Sequence, residues 1–596
     1  MYEQLLRHIV TLNQWRKRHI SHDNFLIIAA AIVGVFGGLA AALLKSLTHF
    51  VAAFMQNDFH WQYKYYLYFF FPLIGLFLTV LYIKTFIRKH DFRHGIPPLI
   101  KSISKENSRL DFHNIYSQII SSALTVGLGG SAGLEAPAVA SGSAIGSNVG
   151  RLFGLNYRET TLLLACGGAA GIAGAFNSPV AGMIFAIEVL LPSFSIPAFI
   201  PLLIASAVAS VVSQMLNSEP LFAYVAHNWI VDAFWFYIVF GVIAGFYSVY
   251  FSRLNTYLHK VFDKINGAYR KALVGGIALG VMIAVFPAVY GEGYISIQKL
   301  LDGRYESLLT NSFFSGYQHI TWVLIAFAAL SLMAKTVACV VTMSSGGNGG
   351  MFGPSVVVGG LLGFVFAFGL NQTGFVHLNV THFIVAGMAA SVAGVMHAPL
   401  TGVFLSAEIT GGYVLIVPLM VVSAISYFIN KGTLRYSIYT KRLAEQDIVV
   451  AENKDASVLT QMKLKYLLEK DFVVLHPEDT VTSREKDIIH SEKSLFPVVG
   501  QDGKLLGLLG IETLLEHLVS HQPEMRQQTI AQLVQPVNDA VCINAKMRAV
   551  MQLMDKKNVR ILPVVDEEEQ YLGFITKTGI FNRYRKLLVR QNDILY

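Results

Sequence analysis

Charge is what this sequence lacks. Asp, Glu, Lys and Arg make up 14% of its 596 residues, while 54% are hydrophobic; soluble domains carry about 25% charged residues. The deficit is concentrated in long runs. Between Glu159 and Glu219 only Glu188 is charged, and between Ile320 and Ala407 only Lys335. Such runs exclude an ordinary soluble domain and predict membrane-spanning helices, each needing about 20 apolar residues. Cysteine is scarce as well. Cys166, Cys339 and Cys542 stand far apart, which excludes a disulfide framework and gives no metal-ligand spacing. A Ser–His pair, paired aspartates or an HExxH site on facing helices, any of which an intramembrane protease would need, are also missing, so no enzyme and no cofactor are expected. A cation transporter would be expected to place several acids within its spans, whereas here Glu135 is isolated.

Much of the basic excess lies near the ends of spans. The net charge is +8, and Arg7, Arg16, Lys17 and Arg18 precede the first apolar run. That bias puts the N-terminus in the cytoplasm and calls for no nucleic-acid partner. The first run starts near Asn24 and passes residue 40 without a small-residue cleavage pattern, so it reads as a retained helix. Near residue 445 the composition turns soluble. Residues 1–445 are therefore expected to form a multi-pass membrane domain, and 446–596 a cytoplasmic tail.

Both parts carry internal repeats. Gly167–Glu188 (GGAAGIAGAFNSPVAGMIFAIE) matches Gly387–Glu408 (GMAASVAGVMHAPLTGVFLSAE) at an offset of 220. Gly130, Gly133, Pro137, Gly142 and Gly146 match Gly347, Gly350, Pro354, Gly359 and Gly363 at an offset of 217. Duplicated halves with Gly/Pro-interrupted spans are a transporter pattern, with the substrate at the repeat interface. Helix starts at such breaks expose N–H groups and the positive end of the dipole, which bind anions without a full charge. In the tail, Leu495–Leu509 repeats as Ile561–Ile575, each a strand, a polar turn and a second strand. The two units span about 462–520 and 529–588.

Several residues stand out. Glu135, in GGSAGLEAP, is the only charged side chain between His113 and Arg151. A carboxylate in a membrane segment is costly and points to function, with a satisfied buried acid as the alternative. Met351 and Phe352, in GGMFGP, offer N–H donors at the matching break. His94, before Gly95-Ile96-Pro97, could donate to an ion or titrate; a lone His beside Arg93 and Asp91 is more often interfacial. Tyr436 follows the last apolar run. Glu188 and Glu408 are repeat mates, which favours a structural role.

Taken in order, these motifs resemble the CLC family of chloride channels and chloride/proton exchangers. RHGIP (Arg93–Pro97), GLEAP (Gly133–Pro137) and GGMFGP (Gly349–Pro354) are similar to the family's three anion-site signatures. FNSPVAGMIFAIE (Phe176–Glu188) is similar to a fourth stretch, and the tail resembles a CBS-domain pair. The resemblance implies an all-α membrane domain of two inverted-topology repeats with broken helices, plus a C-terminal α/β CBS pair. It implies a homodimer in the cell membrane, with chloride or another small anion as cargo. Glu135 would be the gating glutamate, and His94, Gly95, Ile96, Pro97, Met351, Phe352 and Tyr436 would line the anion sites. Val189 stands where many exchangers carry a second glutamate, so a passive, voltage-gated channel is expected, with an exchanger as the alternative. His94 stands where chloride-selective members often have Ser and nitrate-preferring members Pro. Thr513 and Gly579 stand where ribose-binding aspartates usually sit, which speaks against adenine nucleotide binding by the tail. A CBS-regulated cation transporter is the alternative from another class.

Overall fold

The computed structural model describes residues 13–446 and 462–592, apart from short stretches at 15, 58–63, 88–93, 192–195, 218–220, 223, 225–228, 311, 520–521, 523–524, 526 and 538. Two compact units form, Met1–Val450 and Ala451–Tyr596. Among the described residues of the first unit, nine helices are long and apolar enough to cross a membrane. Shorter apolar helices lie between them, including Pro179–Phe185 and Pro399–Ile409.

The duplication is visible element by element. Glu135–Leu152, Tyr157–Phe176 and Pro179–Phe185 are followed by Ile196–Leu216. In the second half, Phe352–Asn371, Val380–Met396 and Pro399–Ile409 are followed by Ile416–Thr433. Asn177 and His397, repeat mates, both end their helices in the left-handed region at φ 55° and 58°. Each is followed, two residues on, by the proline that opens the next helix.

Small residues explain the packing. Lipid offers no hydrophobic drive between helices, so close van der Waals contact must do the joining. Gly142 meets Gly167 so closely that the carbonyl of each occupies the place of the other's Cβ, and Gly359 meets Gly387 in the same way. Helix His22–Asn57 sets Gly34 and Gly38, four residues apart, onto the backbone of Ala205 and Ala209.

The second unit holds two three-stranded sheets. In the first, β1 (Leu495–Val499) pairs antiparallel with β2 (Leu505–Gly510), which pairs with β3 (Gln535–Pro536). In the second, β4 (Val541–Cys542) runs parallel to β5 (Ile561–Val565), which pairs antiparallel with β6 (Tyr571–Thr576). The two hairpins share even their irregularity, a register shift at Val498/Val499 and at Val564/Val565. Their turns touch through a Lys504–Gln570 bridge. The described fold is an all-α polytopic membrane domain of two repeats joined to an α/β CBS pair.

Candidate functional site

Two helix starts, one from each repeat, are bound to each other. Gly133 and Gly350 form an antiparallel bridge in which each N–H donates to the other's carbonyl at 2.8 Å. The glycines are needed there. A Cβ on Gly350 would stand 2.8 Å from that of Ala136, and one on Gly349 would stand 2.5 Å from that of Ala132. The bridge lies just before the first turns of helices Glu135–Leu152 and Phe352–Asn371. It therefore brings two sets of orphan N–H groups to one place.

Glu135 lies in that place and is 2% exposed. Its carboxylate accepts from the Gly353 N–H at 3.2 Å and from the Tyr294 hydroxyl. The Gly353 N–H belongs to the first turn of helix Phe352–Asn371, so the side chain of one repeat binds the positive helix end of the other. Phe352 packs against Phe176 and Phe185 and is 1% exposed. Met351 is buried beside it.

The Gly95 break is built as expected: Gly95 has φ 82°, Ile96 is 1% exposed, and Pro97 opens helix Pro97–Lys105. Arg93 lies outside the described residues. His94 is partly buried and faces His259 and Arg442. Tyr436 is also only partly buried, with the Arg435 guanidinium 5.6 Å from its ring centre. Three residues on, Tyr439 is 6% exposed. Its hydroxyl is buried without a hydrogen-bond partner among the described residues, and it feels the charge of Glu135. An unpaired buried hydroxyl is costly unless something unseen uses it, so Tyr439 fits an ion-lining role better than Tyr436. The two tyrosines stand three residues apart in the sequence, and only burial separates them.

Glu188 and Glu408 do something different. Glu408 accepts from the Val180 and Ala181 N–H groups at 3.2 and 2.9 Å. Glu188 accepts from the Leu400 and Thr401 N–H groups at 3.0 and 2.8 Å, and from the Thr401 hydroxyl at 2.7 Å. Each carboxylate thus caps the short helix of the other repeat. Both carboxylates are thereby engaged, a use that matches the symmetry of the sequence. Lys335 is also held: 1% exposed, it donates to the carbonyls of Val289 and Gly291 at 3.1 and 2.7 Å.

In the tail, Gly579 donates its N–H to the Thr576 hydroxyl at 2.9 Å, and that hydroxyl donates to Glu469 at 2.6 Å. A carboxylate thus lies next to the position where the resemblance places a ribose-binding group.

The family described as voltage gated chloride channel matches residues 74–431, and the CBS domain matches 534–586. The Arabidopsis thaliana chloride channel protein CLC-f is 25% identical over 84% of this chain and 73% of its own length. The H(+)/Cl(-) exchange transporter ClcA of Klebsiella pneumoniae is 27% identical over 71% of this chain and 90% of its own. A slow cyanobacterial Cl-/H+ antiporter superposes with TM-score 0.60 at 22% identity, covering 71% of this chain and 98% of that one. A eukaryotic CLC transporter does so with TM-score 0.59 at 16% identity, covering 93% of this chain and 97% of that one.

Proposed function

Since the chain belongs to the family of voltage-gated chloride channels and their exchanger relatives, and so transports anions, we propose that it exchanges chloride for protons through Glu135. One observation carries this reading: the Glu135 carboxylate sits on the N-terminal turn of helix Phe352–Asn371, the kind of place a free anion would take. Ionised, the side chain competes with chloride for those N–H groups. Protonated, it loses the charge-assisted bond and yields the place. One group that alternates between a proton and an anion site couples the two movements. Relatives named as H(+)/Cl(-) exchange transporters support the coupling.

Passive conduction, the reading first drawn from Val189, is the second reading. Val189 is apolar and cannot carry a proton, and the relative CLC-f is named a chloride channel protein. The reversal potential under a tenfold proton gradient with chloride fixed separates the two. An exchanger's reversal potential shifts with pH; a channel's stays at the chloride equilibrium potential.

The same proposal includes a homodimer in the cell membrane with both termini cytoplasmic, a transport domain over 1–445 and a regulatory tail over 446–596. The anion path is lined by His94, Gly95, Ile96, Pro97, Met351, Phe352 and, in place of Tyr436, Tyr439.

A further inference from the structure

The turn that supplies Tyr294 to Glu135 carries a second carboxylate, Glu292. The turn is fixed from several directions. The Tyr290 hydroxyl donates to the Gly127 carbonyl at 3.3 Å, and the Gly291 N–H donates to Gly129 at 3.5 Å. The ammonium of Lys335 takes the carbonyls of Val289 and Gly291. Gly291 and Gly293, on either side of Glu292, have φ 57° and 93°. That backbone suits glycine and turns the intervening residue sharply. A Cβ on Gly293 would stand 3.1 Å from the Lys335 nitrogen, so the lysine also limits what the turn can contain.

This construction places Glu292 beside Glu135. The Leu134 N–H, one residue before Glu135, faces the Glu292 carboxylate, while Tyr294, two residues after Glu292, bonds the Glu135 carboxylate. The two turns therefore meet at their acids. The charged and titratable groups facing Glu292 are Glu135, Lys45 from helix His22–Asn57, Lys335 from helix Thr321–Ser344, and Tyr294 from its own turn. Glu135 is buried, whereas Glu292 and Lys45 are only partly so.

We propose that Glu292 is the proton relay of the Glu135 gate, standing between Glu135 and the partly exposed surface with Lys45 and Lys335 as its countercharges. The inference rests on the reading of Glu135 as the gate. The step is a plain proton transfer. A proton from water neutralises the Glu292 carboxylate and passes to Glu135, whose carboxylate is neutralised as that of Glu292 is restored. Neutral Glu135 then leaves the Gly353 N–H to chloride.

The test is chloride flux and internal pH in proteoliposomes of the full-length protein, read across external pH. Glu292→Gln removes a negative neighbour of Glu135, so the midpoint of chloride flux moves about one unit to the acid side. Proton movement per chloride falls several-fold. Glu292→Asp, which keeps the carboxylate, restores most of both. Lys45→Met removes a positive neighbour of both acids and moves the midpoint the opposite way, while proton movement per chloride stays at the wild-type value because Glu292 remains. Glu292→Gln with the wild-type midpoint and ratio overturns the relay, even where Glu135→Gln abolishes the pH dependence. If Glu292→Gln yields no folded protein, an unmoved midpoint in Lys45→Met overturns it instead. A wild-type flux flat in pH overturns the gate reading and the relay with it.

Discussion

A carboxylate bound by a helix N–H is held through its charge, so removing the charge should release it. Glu135→Gln keeps the shape and loses the ionisation. Chloride flux should then persist from acid to neutral pH with little slope, as measured by efflux from vesicles. Tyr439 and Tyr436 can be separated in the same assay. The unpaired Tyr439 hydroxyl has about 1 kcal/mol of hydrogen bonding to offer an ion, roughly a fivefold effect on affinity. Tyr439→Phe should therefore raise the chloride half-saturation several-fold, and Tyr436→Phe should leave it within about twofold. Equal effects would return the role to Tyr436. His94 is tested by permeability ratios: His94→Ser should favour chloride over nitrate and His94→Pro the reverse, and unchanged ratios would remove it from the filter. At this scale the sequence was informative where chemistry was rare. Glu135 stood out as a lone charge; Tyr294 was one tyrosine among 26 and gave no sign that it reaches Glu135.

At the scale of helices, the two short segments Pro179–Phe185 and Pro399–Ile409 depend on acids outside their own repeat. Each helix start is bound by the glutamate near the C-terminal end of its repeat mate, two N–H groups per carboxylate. Breaking such bonds leaves the buried Ala181 and Thr401 donors unpaired, at about 1.5–3 kcal/mol for a charged acceptor. Glu408→Ala and Glu188→Ala should each lower the melting temperature of the protein in detergent by several degrees. Chloride affinity should change much less than in Tyr439→Phe. A variant with normal melting and lost transport would instead mark its glutamate as part of the ion path. The repeat itself was legible because glycine positions survive where backbones touch, as at Gly142 with Gly167 and Gly359 with Gly387. What the offset could not reveal was the exchange of caps. It depends on which side chain of one half meets which helix end of the other, and sequence spacing carries no such information.

At the scale of the whole molecule, two duplications serve different ends. In the membrane unit neither half is sufficient: Glu135 comes from the first and the Gly353 N–H from the second, so the site exists only where the halves meet. In the tail, the duplicated hairpins meet through Lys504 and Gln570, and the side chains around Gly579 bond one another. Glu469 accepts from Thr576 and pairs with Lys493 at 3.1 Å, and Lys493 also pairs with Asp471 at 3.0 Å. The Lys493 hydrogen bond holds the Asp471 carboxyl below the usual range, and the bond to Asp471 in turn raises the Lys493 ammonium. For the carboxyl, the stabilisation is present above its unfolded value and is lost as pH falls through the lowered one. For the ammonium, it is present below the ordinary lysine value and is lost only as pH rises through the raised one. The cluster is thus closed across the neutral range, with its one cation committed to two acids. A phosphate approaching Thr576 would meet the Glu469 carboxylate, and a ribose at Gly579 would find no side-chain acceptor of that residue's own. Calorimetric titration of the intact protein with ATP at neutral pH should therefore give no binding, or a dissociation constant in the millimolar range. A micromolar constant would mean that the cluster opens to admit the nucleotide, and Lys493→Ala would then be expected to change that affinity.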